Sequence, residues 1–273
     1  MIGAKHQAVV QYVAIQNNSK PNPQRLIVLD GLWEIESALD AGLDLVTVIA
    51  SPELFRGNRS SDVLTRAAKA ATHSYAVSAK LANRLSDRDT SDGLAAVAMS
   101  RQWSLAGLSP LVQTSVVLVL DGLEVMGNVG TAVRSAQASG ADAVLLTNRR
   151  VRLTHPRLIH ASMAASLTMP IVDCSVEDAA AWCRGHNYEV LLADTRAPAS
   201  YKAYDYRPRV AIVLGSERYG INKEWDAFAG GGVSIPMFND VDSLNVANAA
   251  TILLFEIAGR HRPGDFGLDP TRV

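Results

Sequence analysis

The sequence predicts an α/β protein of two domains, a small one over residues 25–100 and a larger one over 115–273 built on a buried parallel sheet. Three observations carry this. Apolar runs rich in Val, Ile and Leu alternate with stretches of helical periodicity. In the second half these runs are continuous, the pattern of strands covered on both faces. Between the halves, QWSLAGLSPLVQTS loses its periodicity and contains Ser109-Pro110, which suits a linker over 101–114. A chain of 273 residues with 48% hydrophobic and 19% charged residues has ample material for such cores.

Residues 1–24 read as an N-terminal extension. From Arg25, RLIVLDG is a strand; LWEIESALDAG sets Leu32, Ile35 and Leu39 at helical spacing and stops at Gly42; LDLVTVIAS is a second strand, ending at Pro52. A polar loop (RGNRSSD) leads to a helix (VLTRAAKAA), a strand (HSYAVS), a helix (AKLANRLSD) and a strand (GLAAVAMS). In the second half VVLVL and AVLLT flank a helix containing Arg134. LIHASMAASL reads as helical, followed by IVDC, a helix EDAAAWCRG, then YEVLLAD and RVAIVLGSE. SLNVANAATILLFEIAGRH closes the chain as a long helix, with Leu244, Ala247, Leu254 and Ile257 on one face and Asn245 and Asn248 at its start.

Composition excludes several function classes. A net charge of −1 gives no overall attraction to nucleic acid, so a polyanion has to be held by local patches. RRVRLTHPR offers one, with Arg149, Arg150, Arg152 and Arg157 around His155. Cys174 and Cys183 are too far apart for a C-x-x-C motif and too few for a disulfide framework. The N-terminus lacks a secretory cleavage site and no apolar run reaches the roughly 20 residues that span a bilayer, so a cytoplasmic protein without membrane association is expected. The histidines show no ligand spacing, and no metal site is expected.

Three stretches of the second half each follow a strand, where an open parallel sheet presents its ligand crevice: NVGTAVR (Asn128 to Arg134), LGSERYGI (Leu214 to Ile221) and SIPMFNDVDSLNVANA (Ser234 to Ala249). Gly127 and Gly130 suggest a dinucleotide loop, but the spacing is not G-x-G-x-x-G and no ribose-binding acid follows about 20 residues on. Together, in this order, N-x-G-x-x-x-R, G-S-E-x-x-G and S-I-P-M…S-L-N resemble the three motifs of the SpoU or TrmH-type RNA ribose 2′-O-methyltransferases of the SPOUT class, over about residues 115 to 260. LDGLEVMGNVGTAVRS, with Met-Gly where many members have Asp-Pro, looks most like the thiostrepton-resistance subgroup of rRNA methyltransferases. Residues 25–100 are more weakly similar to the small substrate-binding domain, related to ribosomal protein L30e, that precedes the catalytic domain in many members.

The resemblance implies a deep C-terminal trefoil knot, against the rule that chains do not thread loops. It implies S-adenosylmethionine bound there mostly by main-chain groups, with Leu214, Gly215, Glu217, Ile235, Met237, Ser243 and Leu244 as the contacts. It also implies a homodimer, formed through the knot region. The catalytic set carried over is Arg134, with Asn128, Glu217, Ser243 and Asn245 completing the polar side of the site. The matching arginine is assigned as general base in the family. Because a guanidinium keeps its proton, two roles stay open for Arg134: proton acceptor assisted by the substrate phosphate, or positioning cation. Asn128 is expected to orient Arg134 or the ribose, and Ser243 is a candidate helix cap.

The sequence departs from the pattern in two places. Where many members have an RNA-binding R-A-S-x-G, HASMAA puts His160 at the arginine and Ala164 at the glycine, leaving Arg157 one turn earlier as a substitute cation. In the small domain Asp30-Gly31 and Thr90-Ser91-Asp92-Gly93 replace E-G and T-x-x-P-Q-G, so the RNA target is not inherited from the family. The substrate-RNA residues expected are Arg149, Arg150, Arg152, Arg157 and His160. Three functions compete: methylation of RNA at ribose 2′-hydroxyls, with 23S ribosomal RNA favoured over tRNA; a noncatalytic RNA-binding or ribosome-assembly protein of the same fold; and a nucleotide-binding oxidoreductase.

Overall fold

The computed structural model describes residues 1–18, 21–108, 113–239 and 241–262. The linker signal Ser109-Pro110 lies outside the described residues. Two compact units form. The first joins the described residues of Met1–Arg101 to Arg152–Thr168, and the second joins the described residues of Gln102–Val151 to those from Met169 onward.

In the first unit the order is α1 (Gln7–Gln16), β1 (Leu26–Asp30), α2 (Leu32–Asp40), β2 (Leu45–Ala50), α3 (Asn58–Ala70), β3 (His73–Ala76), α4 (Ala79–Leu85) and β4 (Leu94–Met99). Its sheet runs β1-β4-β2-β3, with β4 antiparallel to β1 and β2, and β3 parallel to β2. Residues 7–16, expected within an extension, instead supply a core helix. Val9 and Tyr12 are buried with Val28, Val97, Leu81 and Leu85, and His6 caps the helix through Nδ1, which accepts from the Ala8 amide at 3.3 Å. Asp92 ties the turn before β4 to the start of α2 by accepting from the Leu32 amide at 2.8 Å.

The segment 152–168 also belongs to this unit, although it lies between strands of the other. Its helix α6 (Pro156–Ala161) is capped by His155 and is shorter than LIHASMAASL suggested. Met163 and Ala164 take positive φ (+49° and +64°), which ends the helix, and Ala164 is the residue standing where the family pattern has glycine. Ile159, Ala164 and Leu167 bury against Ile27, Leu29 and Ile35.

The second unit contains β5 (Ser115–Asp121), α5 (Met126–Ala138), β6 (Ala143–Thr147), β7 (Ile171–Asp173), α7 (Val176–Gly185), β8 (Glu189–Ala193), β9 (Ala199–Ser200), β10 (Arg209–Gly215), β11 (Gly231–Ser234) and α8 (Val246–His261). All neighbours in its sheet, β7-β6-β5-β10-β8-β11-β9, are parallel. Every residue of β5 is buried. Val117 and Val119 meet Ala179, Ala180 and Cys183 of α7 on one face, while α5 and α8 pack on each other through hydroxyls of Ser135 and Thr251 at 2.6 Å. Burial pushes the Cys174 and Cys183 thiols up to about 12, so neither is poised to react.

The order of strands reverses between β5 and β10, whose last residues, Asp121 and Gly215, are register partners. Such a reversal opens a crevice at the carboxyl edge of a parallel sheet. Asp121, 2% exposed, ends β5 beside this reversal. One carboxylate oxygen accepts from the Thr147 hydroxyl at 2.8 Å and the Asn148 amide at 2.9 Å, and the other from the Asn222 backbone amide at 2.7 Å. Asp121→Ala strands all three donors and is expected to lower the unfolding free energy by about 3 kcal/mol or more, measured by urea titration.

Candidate active site

The crevice begins with the turn that follows β10. Ser216 and Gly220 exchange backbone hydrogen bonds at 3.1 and 2.9 Å, the Tyr219 amide donates to the Ser216 hydroxyl at 3.1 Å, and Gly220 has φ +69°. A side chain at Gly215 would overlap the Gly220 carbonyl and the Ile221 amide, so only glycine lets the turn fold back so closely. Glu217 is carried at the tip of this closed loop.

Beside it lies a cleft of about 580 Å³. All seven residues expected at the cofactor line it: Leu214, Gly215, Glu217, Ile235, Met237, Ser243 and Leu244. Leu214 is fully buried, while Ile235 and Leu244 are half-buried, which makes an apolar slot. Ile235 to Asn239 follow β11 without joining a ladder, and among the described residues their backbone groups bond to no other backbone group. Unpaired amides and carbonyls beside an apolar slot suit an aromatic heterocycle that is read along its edge. Sequence reasoning missed the loop after β8, where Asp194, Thr195 and Arg196 also line the cleft. Hydrogen bonds from Arg196 hold the Asp194 carboxyl below the usual range. The available signal was that β8 ends on the same edge as β10.

The three motif stretches meet through Asn128. Its amide nitrogen donates to Glu217, and its amide oxygen accepts from the Asn245 side chain at 3.1 Å. Asn245 in turn caps α8, accepting from the Ala247 amide at 2.9 Å. Two expectations therefore change. Asn128 is bonded to Glu217 and Asn245 rather than to Arg134, and the helix cap is Asn245 rather than Ser243, because α8 starts at Val246. Gly127, Asn128 and Gly130 lie inside α5, so the stretch is helical and is not a phosphate loop. Arg134 is exposed on the same helix with no hydrogen bond or ion pair among the described residues.

The expected RNA-binding cations are divided. Arg149 is held by Asp173 at 2.6 Å, which uses up its charge, and Arg150 is exposed; both are in the second unit. Arg152, Arg157 and His160 are exposed in the first unit. His160 places Nδ1 3.5 Å from the Glu34 carboxylate. His155 is held below its ordinary pKa by burial and then by Arg157 and Arg152, so near neutral pH it serves as a neutral cap. Among the described residues no cluster of His, Cys, Asp and Glu is suited to a metal, and no helix is long and apolar enough to cross a membrane.

Residues 115–255 match the SpoU rRNA Methylase family. The 23S rRNA (adenosine(1067)-2′-O)-methyltransferase of Streptomyces azureus is 31% identical over 147 residues, 53% of this chain and 55% of that protein. The chain thus spans little more than half the length of the first curated relatives it matches. A crystal structure of an RNA 2′-O ribose methyltransferase superposes with a TM-score of 0.81 at 31% identity, over 96% of this chain and 98% of that one. An AdoMet-bound rRNA methyltransferase from Sinorhizobium meliloti shares the fold, with a TM-score of 0.85 at 24% identity over 96% of this chain and 97% of that one. By the match to more than half its length and the end-to-end likeness to a 31% identical methyltransferase, the chain belongs to the SpoU rRNA methylase family.

Proposed function

We propose that this protein transfers a methyl group from S-adenosylmethionine to a ribose 2′-hydroxyl of RNA, with 23S ribosomal RNA as the substrate class and the cytoplasm as its compartment. The observation that carries the reading is the convergence of three separate stretches on one cleft: Leu214 to Glu217, Ile235 with Met237, and Ser243 with Leu244. S-adenosylmethionine, when bound, supplies a methyl carbon activated by its sulfonium. Ile235, Met237, Leu214 and Leu244 would sandwich the adenine while main-chain groups read its edge. On the same reading this end of the second unit forms the deep trefoil knot of the class, and the first unit is the L30e-like domain that grips the RNA.

The roles of the polar residues follow from their bonds. Methyl transfer to a hydroxyl is an in-line displacement, so the hydroxyl must be held near the carbon and lose its proton as the bond forms. Arg134, exposed and uncommitted, suits a clamp on the ribose hydroxyl and the adjacent phosphate. A guanidinium cannot give up its own proton, so the phosphate it holds is the better proton acceptor. Asn128 fixes Glu217 against Asn245, which keeps the cofactor loop and the start of α8 in register. Ser243 is exposed on the cleft wall, where it would close the polar side of the site.

We further propose a homodimer. Ala247, Ala250, Leu253 and Leu254 are consumed within the chain, but α8 still exposes 39% of Phe255. Light scattering at micromolar concentration should give twice the chain mass; an active monomer overturns the dimer.

Calorimetry should show S-adenosylmethionine binding with a Kd of a few tens of micromolar or tighter, roughly 6 kcal/mol or more. Gly215→Ala should abolish that binding, because its methyl displaces the Gly220 turn. No heat from the unaltered protein at millimolar ligand would defeat the enzyme reading. Arg134→Lys keeps the charge but loses the planar fork, and kcat should fall by about 10² or more with S-adenosylmethionine affinity unchanged. Retention of over about half of kcat would make Arg134 a general RNA attractor instead.

A further inference from the structure

A second cavity, of about 610 Å³, lies wholly within the first unit. Glu34 forms its floor, with a side chain only 6% exposed. One Glu34 oxygen accepts from the Asp30 amide at 2.9 Å, and the other is 3.5 Å from His160, beyond a close ion pair. Asp30 uses one carboxylate oxygen on the Ser86 hydroxyl and the Asp87 amide, both at 2.9 Å, and its second oxygen accepts no hydrogen bond among the described residues. Burial raises both carboxyls above their usual range. Two donors of residues lining the cavity, both closed off from solvent, also lack partners: the hydroxyl of Tyr12, a residue 0% exposed, and Nε of Arg88. Buried polar groups are rarely left unpaired without a reason.

We propose that this cavity receives one guanine base of the RNA substrate, turned out of its stack. The inference rests on the RNA reading above and specifies how the first unit would read sequence. Guanine alone among the RNA bases sets two N–H donors side by side on its Watson–Crick edge, the match for a carboxylate such as Glu34. Its neighbouring carbonyl oxygen calls for a donor, which the Tyr12 hydroxyl or Nε of Arg88 would supply once the base displaces the groups that cover them, the Arg88 Nη2 being held by the Asp30 carbonyl at 2.7 Å. Arg157 and His160, both exposed, stand at the mouth, where the nucleotide's phosphate would lie. A bare phosphate does not suit the floor, since Asp87 and Asp89 add further negative charge to the wall. The ligand has to bring donors inward and its anion outward, as a nucleotide does.

The test is fluorescence anisotropy of the full chain with the single-stranded RNA pentamers UUGUU, UUAUU and UUUUU, and with inosine replacing the guanosine. Guanosine should bind about tenfold or more tighter than adenosine or uridine, and inosine, which lacks the second donor, should lose about fivefold or more of that preference. Glu34→Gln should bring the guanosine preference to within about twofold while S-adenosylmethionine affinity is retained, since its amide presents a donor to guanine's donors. Tyr12→Phe, which removes only an unpaired hydroxyl, should weaken the guanosine pentamer alone and guards against misfolding of the Glu34 variant. Equal binding of all pentamers, or an unchanged preference in both variants, overturns the pocket and leaves the RNA reading intact. Failure of every RNA to bind overturns both.

Discussion

The buried carboxylate of Asp121 is the constraint on which the second unit depends. A carboxyl at 2% exposure is costly to leave unpaired, and here it accepts from three donors in two separate places: the Thr147 hydroxyl and Asn148 amide at the end of β6, and the Asn222 backbone after the β10 turn. None of the three is a cation; all are neutral hydroxyl or amide donors. The result pins both sides of the reversal in strand order. The loop bearing Glu217 runs between Gly215, fixed by its register with Asp121, and Asn222, bonded to the same residue. A loop anchored at one end by the β5–β10 ladder and at the other by the Asp121 side chain has little freedom to lose when a ligand settles on it.

The first unit uses acids differently. Asp92 does there what Asp121 does in the second, tying a turn to the start of α2. Asp30 and Glu34, however, keep oxygens uncommitted while being buried enough for their pKa values to rise. Structural acids satisfy their lone pairs within the chain; these two do not. That contrast, and not the number of acids, separates the cavity beside α1 from an ordinary polar surface.

Much of this was legible in the sequence because the chemistry follows the strand ends. The apolar runs marked β5, β6, β8 and β10, and the residues after β10 and β11 fell on one cleft because side chains at the carboxyl edge of a parallel sheet have to converge. What was not legible depended on distant partners. Asn128 meets Glu217 from 89 residues away and Asn245 from 117, and no local pattern announces either bond. Residues 1–24 were read as an extension, yet Val9 and Tyr12 of α1 are buried. Residues 158–167, LIHASMAASL, were read as one helix of the second domain. It breaks at Met163 and Ala164, where non-glycine residues hold left-handed backbone that only tertiary packing enforces, and its apolar side joins the other unit's core. The short strands β9 and β11 contain too few residues, two of them glycine, to show a period.

The distribution of charge then explains how a chain of net charge −1 can handle a polyanion on the proposed function. Arg149 is spent on Asp173, Arg196 on Asp194 and Arg260 on Glu256, so the apparent basic content overstates what is available to a phosphate. Arg134, Arg150, Arg152 and Arg157 are exposed and form no ion pair among the described residues. A few uncommitted cations give weak long-range attraction, screened within about 10 Å at ordinary ionic strength. Recognition must therefore come from contacts made after encounter, where a bidentate clamp and a buried base edge discriminate by geometry. A strongly basic protein would hold any RNA; on the proposed function this one has to find the right one first, through the unpaired groups of its two clefts.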